Sequence, residues 1–215
     1  MLGIIRVLTT DKDEVLQEHG RKIEEKASVQ TVTRCIGNQP NGIFDDASEQ
    51  EAIPKIVALA KEMHKAYNLD AITISCAADP ALDETREQVA LPILGAGVSG
   101  AHAAAMVGNK VGIIGITAEP PSRMKEELGH RFFKHRFSPE LRKTTDLFKD
   151  GAKEKLLEVV NSLIEEGADV ILFACTGFST IRLKDYLVQH IETPVIDLVE
   201  AQAIAYQLIG KENSE

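Results

Sequence analysis

One pattern occurs twice in this chain: an apolar, strand-like run that ends in a cysteine and a turn of small residues. The first copy covers 69–78 and contains Cys76, and the second covers 168–177 and contains Cys175, 99 positions later. In each copy a proline-containing apolar segment follows, and its proline lies 16 residues before a glycine. The repetition predicts two homologous halves and a pseudo-symmetric site with one thiol on each side.

Uninterrupted apolar runs alternate with helical patterns through both halves. The runs at 3–8 and 111–116 carry no polar alternation beyond one arginine, which is typical of strands buried on both faces of a parallel sheet. Apolar residues recur at helical spacing over 53–67 and 156–164, whereas 131–150 shows no clear strand pattern. The order predicts an α/β chain with two pseudo-symmetric subdomains, each a mainly parallel sheet flanked by helices.

Composition narrows the class of partner. The 215 residues are 44% hydrophobic and 27% charged, as in ordinary soluble globular proteins. A net charge of -9 without a Lys/Arg block argues against nucleic acid and anionic lipid as partners. The uncharged stretch 89–108 is interrupted by proline and glycine, which favours a buried strand and helix over a membrane span. We therefore expect a small-molecule partner.

Cysteine usage points to a reducing compartment. The three cysteines at 35, 76 and 175 are odd in number and widely spread, so they fit neither a disulfide framework nor a paired zinc site. No N-terminal segment has the order of a signal peptide. We expect a cytoplasmic protein without a structural metal. Cys35 has no counterpart in the other half and is interpreted as structural.

The paired cysteines predict acid–base chemistry. A free thiol has a pKa near ~8.5, and a strand end that leads into a helix N-terminus favours the thiolate. A thiolate that removes a proton from one face of a carbon and a thiol that returns one to the other face invert its configuration without a cofactor. A buried cysteine also commonly just fills space, but its occurrence in both copies favours the chemical interpretation. Small residues after each cysteine leave room for a carboxylate or carbonyl oxygen: Ala77, Ala78, Thr176 and Gly177.

The segments around both cysteines match a known pattern. Cys76-Ala77-Ala78-Asp79-Pro80-Ala81-Leu82-Asp83 with the following 90–97, and 167–177 with the following 194–197, resemble the hydantoin racemase branch of the aspartate/glutamate/hydantoin racemase superfamily. The resemblance implies an active site in the cleft between two subdomains, no cofactor, and 1,1-proton transfer by Cys76 and Cys175. It implies a substrate with a carboxylate or carbonyl, namely an amino acid or a hydantoin-like cyclic derivative.

Polar residues near the strand ends are candidates for substrate contacts. Thr9 and Thr10 replace the Asn-Pro-Asn-Thr loop of the hydantoin branch, and Thr117 is their counterpart in the second half. Threonine is also common at helix N-caps, so a purely structural role fits equally well. Asp79 is interpreted as an N-cap before Pro80, or as a group that orients substrate or tunes Cys76.

The domain limits follow from the repeat and the resemblance. We predict a first subdomain at 1–97, a second at 98–197, and a C-terminal helix over 198–215 that returns to the first. If the halves simply followed each other, they would meet near 109–110. We expect residues 211–215 to form a frayed tail. The oligomeric state is open, and a homo-oligomer is compatible with the sequence.

Two alternative functions fit parts of the sequence. A decarboxylase or cis–trans isomerase of the same superfamily would use one cysteine and not need the other. A non-catalytic nucleotide- or metabolite-binding module would use Gly95–Gly100, which follows a strand and opens a helix as a dinucleotide fingerprint does. The corresponding turn of the second half, 197–202, contains no glycine, which weakens that alternative.

Overall fold

Two four-stranded parallel sheets form the centre of the protein. The computed structural model describes residues 1–209. The first sheet has the order β2-β1-β3-β4 and the second the order β6-β5-β7-β8, so the two have the same topology. The strands are β1 (Leu2–Arg6), β2 (Thr31–Cys35), β3 (Ala71–Ser75), β4 (Ile93–Gly95), β5 (Val111–Gly115), β6 (Phe132–Phe137), β7 (Val170–Phe173) and β8 (Val195–Ile196). The predicted duplicated α/β architecture is confirmed.

Helices flank both sheets. They are α1 (Asp13–Ala27), α2 (Asp46–Ala66), α3 (Leu82–Gln88), α4 (Ala96–Val107), α5 (Ser122–Leu128), α6 (Ala152–Glu165), α7 (Gly177–Thr180), α8 (Leu183–Leu187) and α9 (Leu198–Ile209). Short 3-10 turns occupy Gly129–Arg131 and Thr144–Phe148. Over residues 1–209, none of these helices has the length and apolar character needed to cross a bilayer. The predicted tail at 211–215 and the end of the predicted C-terminal helix lie outside the described residues.

The region without a clear strand pattern contains β6. Its sequence Phe-Phe-Lys-His-Arg-Phe mixes charges with aromatic residues, and every residue is half-buried. β6 is the edge strand of its sheet. Within residues 1–209 it pairs only with β5, with a register shift between Val111 and Gly112. An edge strand keeps one flank open to solvent, so it needs no continuous apolar run.

Helix α2 begins earlier than its apolar pattern suggested. Asp45 accepts a hydrogen bond from the backbone N–H of Ser48 at 2.8 Å, and Ser48 Oγ accepts from the N–H of Asp45 at 3.1 Å. This reciprocal capping box of Asp45 and Ser48 starts the helix at Asp46. The helix continues through Pro54 and supplies one wall of the cavity described below.

The helix that follows the last strand of each sheet packs across the boundary between the halves. Ala101 and Ala104 of α4 belong to the core built around β5 and β7. Val199 and Ala203 of α9 pack with apolar side chains of β1 and α1 in the first half. This exchange of helices ties the two sheets together, while the subdomain limits at 1–97 and 98–197 stay a prediction.

Candidate active site

Both repeated cysteines line one cavity of about 670 Å³. Cys76 directly follows β3, and Cys175 lies two residues after β7, at the carboxyl ends of parallel strands where ligands bind in open α/β sheets. Each is a free thiol, and the two residues are 8% and 7% exposed. The first half also contributes Ala77, Ala78 and Asp79 to the lining, and the second contributes Thr117 and Thr176.

A hydrogen bond joins the two halves beside the cysteines. The hydroxyl of Thr176 donates to the backbone carbonyl of Ser75 at 3.0 Å, and both groups are buried. Each residue is the sequence neighbour of a cavity cysteine. The bond therefore holds the two strand ends, and the thiols they carry, in a defined relation.

Three predicted contact residues are not among those that line the cavity: Thr9, Thr10 and Gly177. The Thr9 hydroxyl donates to the carbonyl of Ile36 at 2.6 Å and accepts from the N–H of Gln39 at 2.7 Å. The Thr10 hydroxyl accepts from the N–H of Lys12 at 3.2 Å. These two threonines hold the loops after β1 and β2, and their role as substrate contacts stays a prediction.

Cys175 is surrounded by hydrogen-bond donors. Burial raises the pKa of the Cys175 thiol to about 11. The N–H groups of Gly177 and Phe178, the hydroxyl of Thr144 and the charge of Arg6 oppose that rise because they stabilise the thiolate. Gly177 thus acts on the site through its backbone rather than as part of the cavity wall.

Cys76 lies in a more acidic environment. Burial raises the pKa of the Cys76 thiol far above its usual range, and the N–H of Ala78 is the opposing hydrogen bond. The negative charges of Cys175, Asp79 and Glu49 raise it further. Cys76 therefore holds its proton strongly.

The expectation that both thiols have a lowered pKa is wrong for physical reasons. Helix α3 begins at Leu82, so Cys76 does not sit at a helix N-terminus. Helix α7 follows Cys175 closely but has only four residues, and its amides do not offset the loss of water.

Asp79 caps a different helix from the one predicted. Its carboxylate accepts from the N–H groups of Gly97 at 2.8 Å and Val98 at 2.7 Å, at the start of α4. Burial raises the Asp79 pKa to about 6, against those two hydrogen bonds. The interpretation of Asp79 as an N-cap before Pro80 is wrong, since α3 begins two residues after that proline.

The glycine turn of the dinucleotide-like motif serves this contact. A Cβ on Gly97 would lie 2.2 Å from the carbonyl oxygen of Ala77 and 2.8 Å from Asp79 Oδ2. The absence of a side chain lets the Cys76 turn pack against α4. Because Asp79 already binds the amides that a phosphate would need, the turn does not offer an anion site.

The sequence patterns did not predict a buried polar network close to Cys175. Arg6 is 2% exposed, and its Nη2 donates to Thr180 Oγ1 at 3.2 Å. His19 is 0% exposed, with Nε2 2.9 Å from Thr180 Oγ1 and Nδ1 2.8 Å from Ser75 Oγ. Burial and the positive charges of Arg6 and Lys22 hold the His19 pKa well below its usual value, so its ring is neutral at pH 7. The signal was Arg6 itself, a charge inside an apolar strand.

The fold and site define a class: duplicated parallel α/β proteins in which each half places a cysteine on a shared cavity. The chain belongs to the Asp/Glu/Hydantoin racemase family, whose model matches residues 14–205.

Individual relatives are distant. A hydantoin racemase of Pseudomonas sp. (strain NS671) is 25% identical over 191 residues, covering 86% of this chain and 75% of the relative. A glutamate racemase of Sulfurihydrogenibium sp. (strain YO3AOP1) is 26% identical over 159 residues, covering 68% of this chain but only 61% of the relative. Among solved structures, allantoin racemase from Klebsiella pneumoniae superposes with a TM-score of 0.82 at 21% identity, covering 97% of this chain and 86% of that one, which shows a shared fold.

Proposed function

We propose that the protein is a cofactor-independent racemase or epimerase that transfers a proton at the carbon next to a carbonyl. The substrate is an amino acid or a hydantoin-like cyclic derivative. The observation that carries this proposal is the placement of Cys76 and Cys175, from equivalent strand ends of two homologous halves, on one cavity. Its volume of about 670 Å³ suits a small molecule.

From the unequal surroundings of the two thiols we assign their roles for one direction of the reaction. Cys175, with four groups that favour its anion, removes the proton from the α-carbon as thiolate. Cys76, which keeps its proton, donates it to the opposite face of the planar intermediate and becomes the thiolate. In the reverse direction the two exchange roles.

The Cys175 pKa sets an energetic demand. A thiol with a pKa of about 11 is ionised in a small fraction at pH 7, and reaching the thiolate costs about 5 kcal/mol. A bound substrate that brings positive charge next to the sulfur offsets part of this cost, because it stabilises the thiolate.

Isotope exchange tests the proposal. Candidate substrates incubated with the enzyme in heavy water must gain deuterium at the α-carbon as they racemise. Cys76→Ala and Cys175→Ala should each abolish racemisation, because two-base transfer needs a group on each face. Racemisation by the double variant would refute the assignment.

The inequality of the two thiols also favours a second candidate, a decarboxylase or cis–trans isomerase of the same superfamily that uses one cysteine. In that reaction one thiol protonates or attacks, and the other is dispensable. Full turnover by one single-cysteine variant, with loss of turnover in the other, would select this candidate.

A further inference from the structure

The cavity carries a surplus of carboxyl groups. Two arginines, Arg123 and Arg142, are set against seven acidic residues, which are Asp45, Asp46, Glu49, Asp79, Asp83, Glu84 and Glu119. Arg123 forms an ion pair with Asp83, and the Asp79 carboxylate is bound by the amides of α4. The cavity lining therefore carries a formal excess of negative charge, which disfavours a ligand with more than one carboxylate.

Glu49 is the carboxyl group best placed to contact a ligand. It lies half-buried on α2 and lines the cavity. Burial raises its pKa, and the negative charges of Asp46 and Glu84 raise it further. Over residues 1–209 its carboxyl group has no hydrogen-bond or ion-pair partner, although its charge is felt at Cys76. A half-buried carboxylate without a donor gains stability from any N–H group that a ligand brings to it.

Arg142 offers the complementary group from the second half. Its Nε donates to the carbonyl of Ile116 at 3.2 Å, and its guanidinium carbon lies 4.7 Å from the centre of the Phe137 ring. These contacts orient the guanidinium, while its terminal nitrogens have no carboxylate partner within the described part of the chain. A guanidinium held in this way presents paired donors that match a carboxylate or carbonyl oxygen.

We propose that Glu49 and Arg142 select the substrate: Glu49 accepts a hydrogen bond from its ammonium or N–H group, and Arg142 donates to its carboxylate or carbonyl. The substrate class is then a monocarboxylic amino acid or a neutral cyclic derivative. Dicarboxylic amino acids are rejected by the surplus carboxyl groups. The inference rests on the proposed function in one respect, that this cavity is the active site.

A pair of thiol reagents of nearly equal size tests the charge selection without turnover. Iodoacetate carries a carboxylate where iodoacetamide carries a neutral amide. The labelling rates of Cys76 and Cys175 with each reagent, resolved by peptide mass spectrometry, give an iodoacetate-to-iodoacetamide ratio. The ratio at Cys35, which is not a cavity-lining residue, serves as the internal reference.

Charge-neutral variants should move this ratio in opposite directions. Glu49→Gln should raise it at Cys76 by about threefold or more, because a like charge is removed in a partly desolvated cavity. Arg142→Met should lower the iodoacetate-to-iodoacetamide ratio at Cys76. Arg142→Lys, which keeps the charge, should lower the ratio less. Glu51→Gln, on the exposed surface of the same helix, is the matched control and should leave it unchanged. An effect of Glu49→Gln no larger than that of Glu51→Gln would overturn the assignment.

Substrate exchange separates this inference from the proposed function. In heavy water, we expect deuterium to enter glutamine, whose side-chain amide is neutral, at least tenfold faster than glutamate. Equal exchange rates for glutamine and glutamate would contradict the charge selection but not the racemase proposal. Exchange that survives loss of both cysteines would sink the racemase proposal, while the labelling ratios would still decide the role of Glu49 and Arg142.

Discussion

The two halves share a strand order and a cysteine position, but they surround their cysteines differently. Around Cys175, backbone amides and the Thr144 hydroxyl of the second half, together with the charge of Arg6 from the first half, favour a thiolate. On the first-half side, Asp79 and Glu49 oppose one at Cys76. Equivalent strand ends therefore set the positions of the two thiols, and the different surroundings give Cys76 the higher pKa.

The halves also differ in how they cap the helix after their last strand. Asp197 directly precedes α9, and its carboxylate accepts from the N–H of Val199 at 2.8 Å and from Lys22 Nζ at 2.8 Å. The cap of α4 comes instead from Asp79, 17 positions before that helix begins, and no lysine contacts it within the described residues. In the first half the turn that carries the cysteine caps the helix directly. In the second half the cap Asp197 reaches the Cys175 turn through Ser179, whose hydroxyl donates to Asp197 Oδ1 at 2.5 Å.

Gly97→Ala and Gly177→Ala test this coupling and carry the largest expected effect. The new methyl group at Gly97 would meet a backbone oxygen at 2.2 Å, whereas the one at Gly177 would meet the side-chain ends of Leu147 at 2.8 Å and Thr144 at 2.9 Å. Backbone cannot move aside as side chains can, so we expect a loss of about 3 kcal/mol for Gly97→Ala and about 1 kcal/mol for Gly177→Ala. Urea unfolding measures both, and equal losses would contradict the comparison.

Asp79 should give stability a pH dependence that a neutral residue lacks. Its pKa is raised from 3.8 to about 6, so the folded state favours the protonated carboxyl. Protonated Asp79 therefore stabilises the folded state by about 3 kcal/mol. This stabilisation is fully present below pH 3.8 and is lost as the pH rises through 6. The difference in unfolding free energy between wild type and Asp79→Asn should fall by about that amount from pH 3 to pH 7. A constant difference would show that the folded and unfolded pKa values are alike.

The sequence predicted the parts of the fold and site that repeat. Mainly apolar runs ending in Cys76 and Cys175 located β3 and β7, because strands buried on both faces are rich in apolar residues. The two polar residues of β3, Thr73 and Ser75, are hydrogen-bonded in the core. The same logic missed β6, an edge strand whose lysine and arginine pair with Glu166 at the surface.

Contacts between distant segments could not be predicted. The sequence does not show whether a threonine at a strand end contacts a ligand or holds nearby loops, as Thr9 does. An aspartate before proline is a good local N-cap, yet Asp79 binds amides 18 and 19 positions away because the turn folds back on α4. The sign of the thiol pKa shifts depended on burial, which local sequence does not report.

The two thiols should ionise in different pH ranges. Alkylation by iodoacetamide follows the thiolate fraction, so Cys175 should reach half of its maximal rate near pH 11 and Cys76 at a higher pH. At pH 9 we expect Cys175 to react at least about tenfold faster than Cys76, if access to the shared cavity is equal. Peptide mass spectrometry resolves the two sites. A faster reaction at Cys76 would reverse the assignment of acid and base.

Arg6 should account for a smaller part of that difference. Its buried guanidinium favours the Cys175 thiolate by charge, but its hydrogen bonds go to Thr180 and the carbonyls of Val15 and Leu16 rather than to the sulfur. Arg6→Met should therefore slow alkylation of Cys175 at pH 9 by about threefold to tenfold, and Arg6→Lys, which keeps the charge, by less. Cys76 is the control within the same molecule, because Arg6 is not among the groups that shift its pKa. A variant that merely loosens the fold would accelerate both cysteines, whereas loss of a charge effect slows Cys175 alone.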